Sequence, residues 1–292
     1  MTPTIIINAD DFGFSPAVNS AIVRLAKDAG SRNLTSGVSF AASLMVNMPF
    51  AEDAAKHAAE HCPELPLALH FTLTSGPCCA GRSLLTDPGG MFAYGFLGLW
   101  RHGGNAEFIK AVKTELDAQL GKMQYLTEKY SLNWTGLDSH QHIHTLPDIL
   151  PLVQTEAGKR HLRLRIPKES FGDWRRIRKR WTVWFPAGLM KRLILNRNCR
   201  KIKQTAGYFG ILDTGRMDVL ALTEIVRVIQ SASVNREYEI NIHPSDDITD
   251  TSGWCCSGSD KKFHTSVWRL RERDFLNVEG LRQPAEFCAA QK

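Results

Sequence analysis

The sequence predicts an α/β protein built on a parallel sheet, and three observations carry that prediction. Short apolar, β-branched runs alternate with segments of helical periodicity along the chain. The runs are short and apolar enough to be buried on both faces, as parallel strands are. The polar residues able to do chemistry fall just past the C-terminal ends of these runs, the edge where parallel α/β sheets place their sites. Periodicity leaves two architectures open, a closed barrel and a doubly wound open layer. The 292 residues suit one barrel of roughly 250 residues or two smaller domains. Because no internal repeat or low-complexity linker divides the chain, a single domain over 1–292 is expected, with 171–203 as an insertion.

The elements follow in order. Thr4 to Asn8 is a β-branched strand that stops at a polar cluster. From Pro16, Val18, Ile22, Leu25, Ala26 and Ala29 recur at helical spacing until Gly30. Leu34 to Phe40 reads as strand, Pro49 to Glu60 as helix and Leu67 to Thr72 as strand. Asn105 is placed to cap a long helix in which Phe108, Val112, Leu116, Leu120 and Met123 return every three or four residues. A strand near Thr135 to Ser139, a helix opened by Pro147 and a strand at Leu162 to Ile166 come next. Beyond Phe171 the rhythm breaks. It resumes with a helix around Met217 to Gln230 and a strand at Tyr238 to Ile242. After Asp246 a loop is expected, then a helix near Ser266 to Leu276.

Charge is unevenly spread. The chain has 36 basic and 30 acidic residues, a net +6, yet the segment 171–203 holds eleven Lys/Arg against Asp173 alone. An anionic partner is expected to meet that segment. The seven cysteines form no CxxC pair, which argues against a disulfide framework and a thiolate zinc site and for a reducing compartment. The opening MTPTIIINADDFG lacks the basic start and the apolar core of a signal peptide, so a cytoplasmic protein is expected.

The candidate chemistry is concentrated in a few places. Asp10 and Asp11 follow the first strand; extended neighbours point to opposite faces, but at a strand end turning into a loop both can converge on one ion. The alternative is that one caps the helix from Pro16 while the other is solvated. His70 sits in an apolar strand, where a histidine satisfied within the core is the competing reading. In LDSHQHIH, Asp138 precedes His140, His142 and His144, whose spacing of two puts them on one face of an extended segment. His243 follows a late strand. Carboxylates and imidazoles gathered at one sheet edge make a mixed N/O site for a divalent ion, and such an ion activates water for hydrolysis. GxGxxG after the first strand, GxxxxGK[ST] and GxSxG are absent, so nucleotide-cofactor and serine-hydrolase readings lose their support.

NADDFG at 8–13, LHFTLT at 69–74, LDSHQHIH at 137–144, LRI at 164–166 and IHP at 242–244 together resemble the YdjC-like carbohydrate deacetylases, a family that includes chitooligosaccharide and hopanoid-biosynthesis deacetylases. The resemblance covers residues 4 to about 166 and then the IHP strand. It implies an irregular (β/α) barrel that removes acetyl groups from N-acetylated amino sugars with one divalent metal ion, zinc or magnesium. Position by position, it makes Asp11, His70 and His140 the ligands, Asp10 the general base and His243 the general acid. Arg165 would orient Asp10 or bind substrate, and Asp138, His142 and His144 would lie behind the ligands or against substrate. Two other classes compete: another metal-dependent amide or phosphoester hydrolase, and an inactive barrel that binds glycan or membrane.

The insertion departs from the family pattern. Ile177, Trp181 and Trp184 fall at helical spacing among Arg175, Arg176, Arg178, Lys179 and Arg180, a composition suited to the anionic cytoplasmic face of a membrane. No nucleic-acid module is present, so nucleic acid is not expected as a partner. Co-sedimentation with anionic but not neutral liposomes, lost in salt and on replacing those five cations by Gln, is the expected result; equal sedimentation with both would leave a tryptophan-packed helix with a solvated basic face.

Overall fold

The computed structural model describes residues 3–31, 34, 36–169, 185–200, 202, 206–214, 217–231, 237–256, 258–277 and 281. Its strands are β1 (Thr4–Phe12), β2 (Val38–Leu44), β3 (Leu67–Phe71), β4 (Trp134–Ser139), β5 (Arg163–Leu164), β6 (Ala206–Phe209) and β7 (Glu237–Ile242). They form one sheet in the order β5-β4-β3-β2-β1-β7-β6, with each neighbouring pair parallel. Its two edges are consecutive in the chain, and a parallel bridge from Glu169, just past β5, to Tyr208 of β6 brings them together. The sheet is therefore a curled, barrel-like (β/α) structure and not an open layer.

The helices are α1 (Pro16–Ser31), α2 (Ala51–His61), α3 (Phe96–Arg101), α4 (Ala106–Tyr130), α5 (Leu150–Lys159), α6 (Phe185–Asn198), α7 (Val219–Ser231), α8 (Gly258–His264) and α9 (Trp268–Glu272). Asn105 does cap α4, its side chain accepting from the peptide N–H of Phe108 at 3.1 Å. The apolar core lies outside the barrel: Ile5, Ile7 and Ala9 of β1 belong to a cluster with Ile22 and Leu25 of α1 and Leu116 and Leu120 of α4. The intervening residues of β1, Ile6 and Asn8, border an interior cavity of about 100 Å³ with Ala41, Ala68, Asp138, Arg165 and Glu239. Strand alternation thus puts Ile5, Ile7 and Ala9 towards the helices and sends Ile6 and Asn8 inside, where most of the lining is polar or small. Gly136 shows how narrow that interior is, since a Cβ there would stand 3.2 Å from Cβ of Ala68 and 3.3 Å from the carbonyl oxygen of Arg163.

Several boundaries differ from the expected ones. β2 starts at Val38 because Gly37, at φ +86°, turns the chain immediately before it. β5 is two residues long, and Pro167, which lacks an N–H, follows closely. A 3-10 segment over His140–Thr145 delays α5 to Leu150. The tail expected as loop carries α8, and the single helix expected after it is divided into α9 and a 3-10 turn at Phe275–Asn277. Strand β6 was not expected; its AGYF sequence lacks β-branched residues. Helix α6 lies inside the basic insertion, whereas Arg175, Arg176, Arg178, Lys179, Arg180, Trp181 and Trp184 fall outside the described residues. Among the described residues no helix is long and apolar enough to cross a membrane.

Candidate active site

The two aspartates converge through a twist in β1. Asp10 shares the interior parity of Asn8, so a regular strand would send Asp11 outward. Instead the register with β2 shifts between Ala9 and Phe12, and Asp11 adopts φ 69°. A left-handed residue of this kind costs on the order of 1 kcal/mol, which aspartate tolerates better than most. Neither aspartate caps α1. Ser15 stands there, its Oγ accepting from the N–H of Val18 at 3.3 Å.

Asp11, His70 and His140 come together. Oδ1 of Asp11 is 3.2 Å from Nδ1 of His140 and 3.6 Å from Nε2 of His70. The ligand atoms of the three residues all lie within 4.8 Å of one another, and all three side chains are buried. Among the described residues Oδ1 of Asp11 makes no hydrogen bond of regular geometry, and the two imidazole nitrogens are what face it. Burial opposes the charge on Asp11, yet His140, His264 and Arg269 outweigh it and hold the carboxyl well below the usual range. Two imidazoles and an ionised carboxylate fit a mixed N/O divalent-ion site, and the donor set admits both zinc and a harder ion such as magnesium.

The ligands are held from behind. Nδ1 of His70 lies 2.5 Å from Oδ1 of Asp138, which directs Nε2 towards Asp11. Asp138 also accepts from Oγ of Ser43 at 2.6 Å and pairs with Arg165 at 2.9 Å. Burial works against its charge as well, but Arg165 and His70 keep it below the ordinary carboxylate range. Oδ2 of Asp11 accepts from Nη1 of Arg269 at 3.0 Å, leaving Oδ1 for the two histidines.

Asp10 is enclosed by donors. Arg165 donates to both its oxygens, at 2.9 and 2.8 Å; Asn8 donates to Oδ1 at 2.8 Å and Asn241 to Oδ2 at 2.6 Å. Oδ2 stands 4.0 Å from Nε2 of His70, so this cage borders the cluster. Arg165 meets a third carboxylate, Glu239, at 2.5 Å. Burial disfavours its charge, but Asp10, Asp138 and Glu239 raise its pKa well above the ordinary value. It holds Asp10 from inside the barrel, where it is as buried as Asp10 itself.

The three histidines at spacing two do not line one face. Gln141 and His142 have φ of 55° and 59°, so the segment coils at once beyond β4. His140 stays with Asp11. His142 approaches the hydroxyl of Tyr208 at 3.4 Å. His144 is fully buried between Oγ of Ser139 at 2.5 Å and the carbonyl of Arg165 at 2.9 Å, and burial pushes its pKa down to about 4. It is a neutral strut under Arg165 with no exposed surface. His243, just past β7, donates its peptide N–H to Oε2 of Glu272 at 2.5 Å; its Nδ1 is 3.6 Å from the same oxygen, and its Nε2 is 3.5 Å from Nδ2 of Asn241.

Sequence reasoning missed Arg269 and Glu272, the fully buried pair on α9 that holds Asp11 and His243. In TSVWRLRERDF nothing separates them from Arg271 and Arg273, which read as the same charged surface. It also missed Asn8 and Asn241, although a signal existed: each is a polar residue inside an apolar strand, two positions before Asp10 and His243, and so on the same face.

Comparison with known proteins follows this geometry. A family model described as YdjC-like protein matches residues 4–286. A carbohydrate deacetylase of Geobacillus stearothermophilus is 36% identical over 160 residues, 55% of this chain and 58% of that protein's own length. A chitooligosaccharide deacetylase of Yersinia enterocolitica is 26% identical over 292 residues, covering 98% of this chain and 95% of the relative. A crystal structure from Enterococcus faecalis, described as a candidate cellobiose-phosphate cleavage protein, shares the fold with a TM-score of 0.65 at 21% identity, over 96% of this chain and 93% of that one.

Proposed function

The chain belongs to the YdjC-like family, and from that premise we propose that it is a metal-dependent hydrolase that removes the acetyl group from an N-acetylated amino sugar and releases acetate. The observation that carries the reading is the convergence of Asp11, His70 and His140 beside a caged Asp10. The names of the relatives, carbohydrate and chitooligosaccharide deacetylase, supply the substrate class.

In this reading Asp11, His70 and His140 hold one divalent ion, zinc or magnesium. A bound ion of this kind lowers the pKa of its water and polarises an acyl oxygen. Asp10 takes the proton of the attacking water. Its four donors fill the roughly four lone-pair sites of a carboxylate, so one must yield as the proton arrives. Asn241 is the one to move, because Arg165 is pinned by Asp138 and Glu239 and Asn8 also donates to Oγ of Ser43. His243 then protonates the departing sugar nitrogen, which is a poor leaving group without that proton. Glu272 accepts the peptide N–H of His243 and faces its Nδ1 at 3.6 Å, which leaves Nε2 for the transfer.

The test is acetate release from N-acetylglucosamine oligomers with and without a chelator. Chelator-sensitive release is expected. No acetate from any N-acetylated mono-, oligo- or lipid-linked sugar would overturn the reading, and chelator-insensitive glycan binding without turnover would point to an inactive barrel.

Glu272→Gln separates positioning from folding. The amide keeps the shape of the side chain and can still accept from one of the two peptide N–H groups that Glu272 meets, those of His243 and Met217, but the negative charge beside the ring is gone. Turnover is expected to fall by about 10- to 100-fold, within the range of general-acid contributions. Metal content should stay unchanged and a urea midpoint reports any loss of packing; turnover at the wild-type level would remove Glu272 from the positioning of His243.

A further inference from the structure

Helix α2 carries a second group of metal-binding side chains, away from the barrel mouth. His57, Glu60 and His61 stand at i, i+3 and i+4, positions that share one helix face. Their ligand atoms all lie within 4.8 Å of one another, and the two imidazole centroids are 5.7 Å apart. The helix packs through the opposite residues Ala51, Ala54, Ala55 and Ala58, so the two histidines contribute little to the core. His57 and His61 of this face line a cavity of about 710 Å³ between α1 and α2, with Arg24, Lys27 and Asp28 on the α1 side.

The cluster is partly organised in advance. Oδ1 of Asp53, one turn earlier on α2, lies 3.4 Å from Nε2 of His57. Oδ2 of Asp53 accepts from Nδ2 of Asn19 at 3.2 Å, and Oδ1 of Asn19 accepts from the N–H of Gly13 at 2.8 Å. The side chain next to His57 is thereby tied to the turn that follows the aspartate pair. The helical backbone fixes the separation of the two rings, so little ordering remains to be done when an ion binds.

We propose that His57, Glu60 and His61 form a second site, for a divalent transition ion, on the wall of this cleft. It is separate from the Asp11, His70 and His140 cluster, and the proposal holds whatever reaction that cluster performs. Two imidazoles and one carboxylate select zinc, nickel, cobalt or copper over magnesium and calcium, which prefer all-oxygen shells. Three protein donors leave a position of a four-coordinate ion open to a ligand from the cleft.

Metal-stripped full-length protein titrated with Co²⁺, in excess Mg²⁺, tests the proposal by equilibrium dialysis. The wild type is expected to bind one more equivalent than His57→Gln/His61→Gln, and Mg²⁺ should not displace that equivalent. The two side chains lie on the exposed face of α2, so the variant should fold as the wild type does, which its circular dichroism checks. Asp53→Asn, which removes the carboxylate beside His57 and none of the three donors, should weaken the extra equivalent by roughly 10-fold or more. Equal stoichiometry and affinity in the wild type and the double variant would overturn the site, as would loss of the extra equivalent to Mg²⁺.

Discussion

His140→Ala and His70→Ala are expected to strip the protein of its bound metal and to lower acetate release by about 1,000-fold or more, the loss of several kcal/mol of charge stabilisation at tenfold per 1.36 kcal/mol. The fold should survive both changes, because the apolar core lies between sheet and helices and neither histidine belongs to it. In His70→Ala, Asp138 keeps Ser43 and Arg165 as partners, so no buried carboxylate is orphaned. Metal analysis together with a urea midpoint checks the prediction. Stoichiometric metal in purified His140→Ala, with the barrel cluster as its location, would remove His140 from the inner shell.

How much of this was legible in the sequence depends on how local the determining physics is. The alternation of strand and helix was, because short apolar runs and a period of 3.6 are written in the neighbouring residues. Closure of the sheet was not: it depends on Glu169 meeting Tyr208, 39 positions apart, in a stretch without a strand pattern. The resemblance supplied the barrel that periodicity left open. At the site, Asp10, Asp11 and His70 could be singled out because polar groups at the end of, or inside, apolar strands stand out against their background. The histidine run misled in geometry, since spacing of two implies one face only if the backbone is extended. Here the left-handed Gln141 and His142 turn the chain so that His144 reaches back to Ser139 and Arg165. Arg269 and Glu272 were invisible for the opposite reason. A buried pair and a solvated pair have the same letters, and only the fold shows that α9 is pressed against the end of β1 and the loop after β7.

The interior electrostatics lead to the second large effect. Asp10 and Asp11 are adjacent in the chain, yet their surroundings differ in kind: Asp10 faces four hydrogen-bond donors, whereas one oxygen of Asp11 faces two imidazoles and the other a fully buried arginine. Asp10→Asn should therefore keep its metal and lose turnover by roughly 100- to 10,000-fold, the scale of a general base. Its amide group would turn one pair of donors against Arg165, Asn8 or Asn241, a cost of about 1–3 kcal/mol for a buried unmet group. Asp11→Asn should instead weaken metal binding and leave Arg269 with no carboxylate partner among the described residues. Breaking a buried pair in that way costs about 3–5 kcal/mol, so this variant should be the less stable of the two. Metal content, turnover and urea midpoint measured side by side decide the matter. Metal loss in Asp10→Asn, with metal retained and turnover lost in Asp11→Asn, would exchange the two roles.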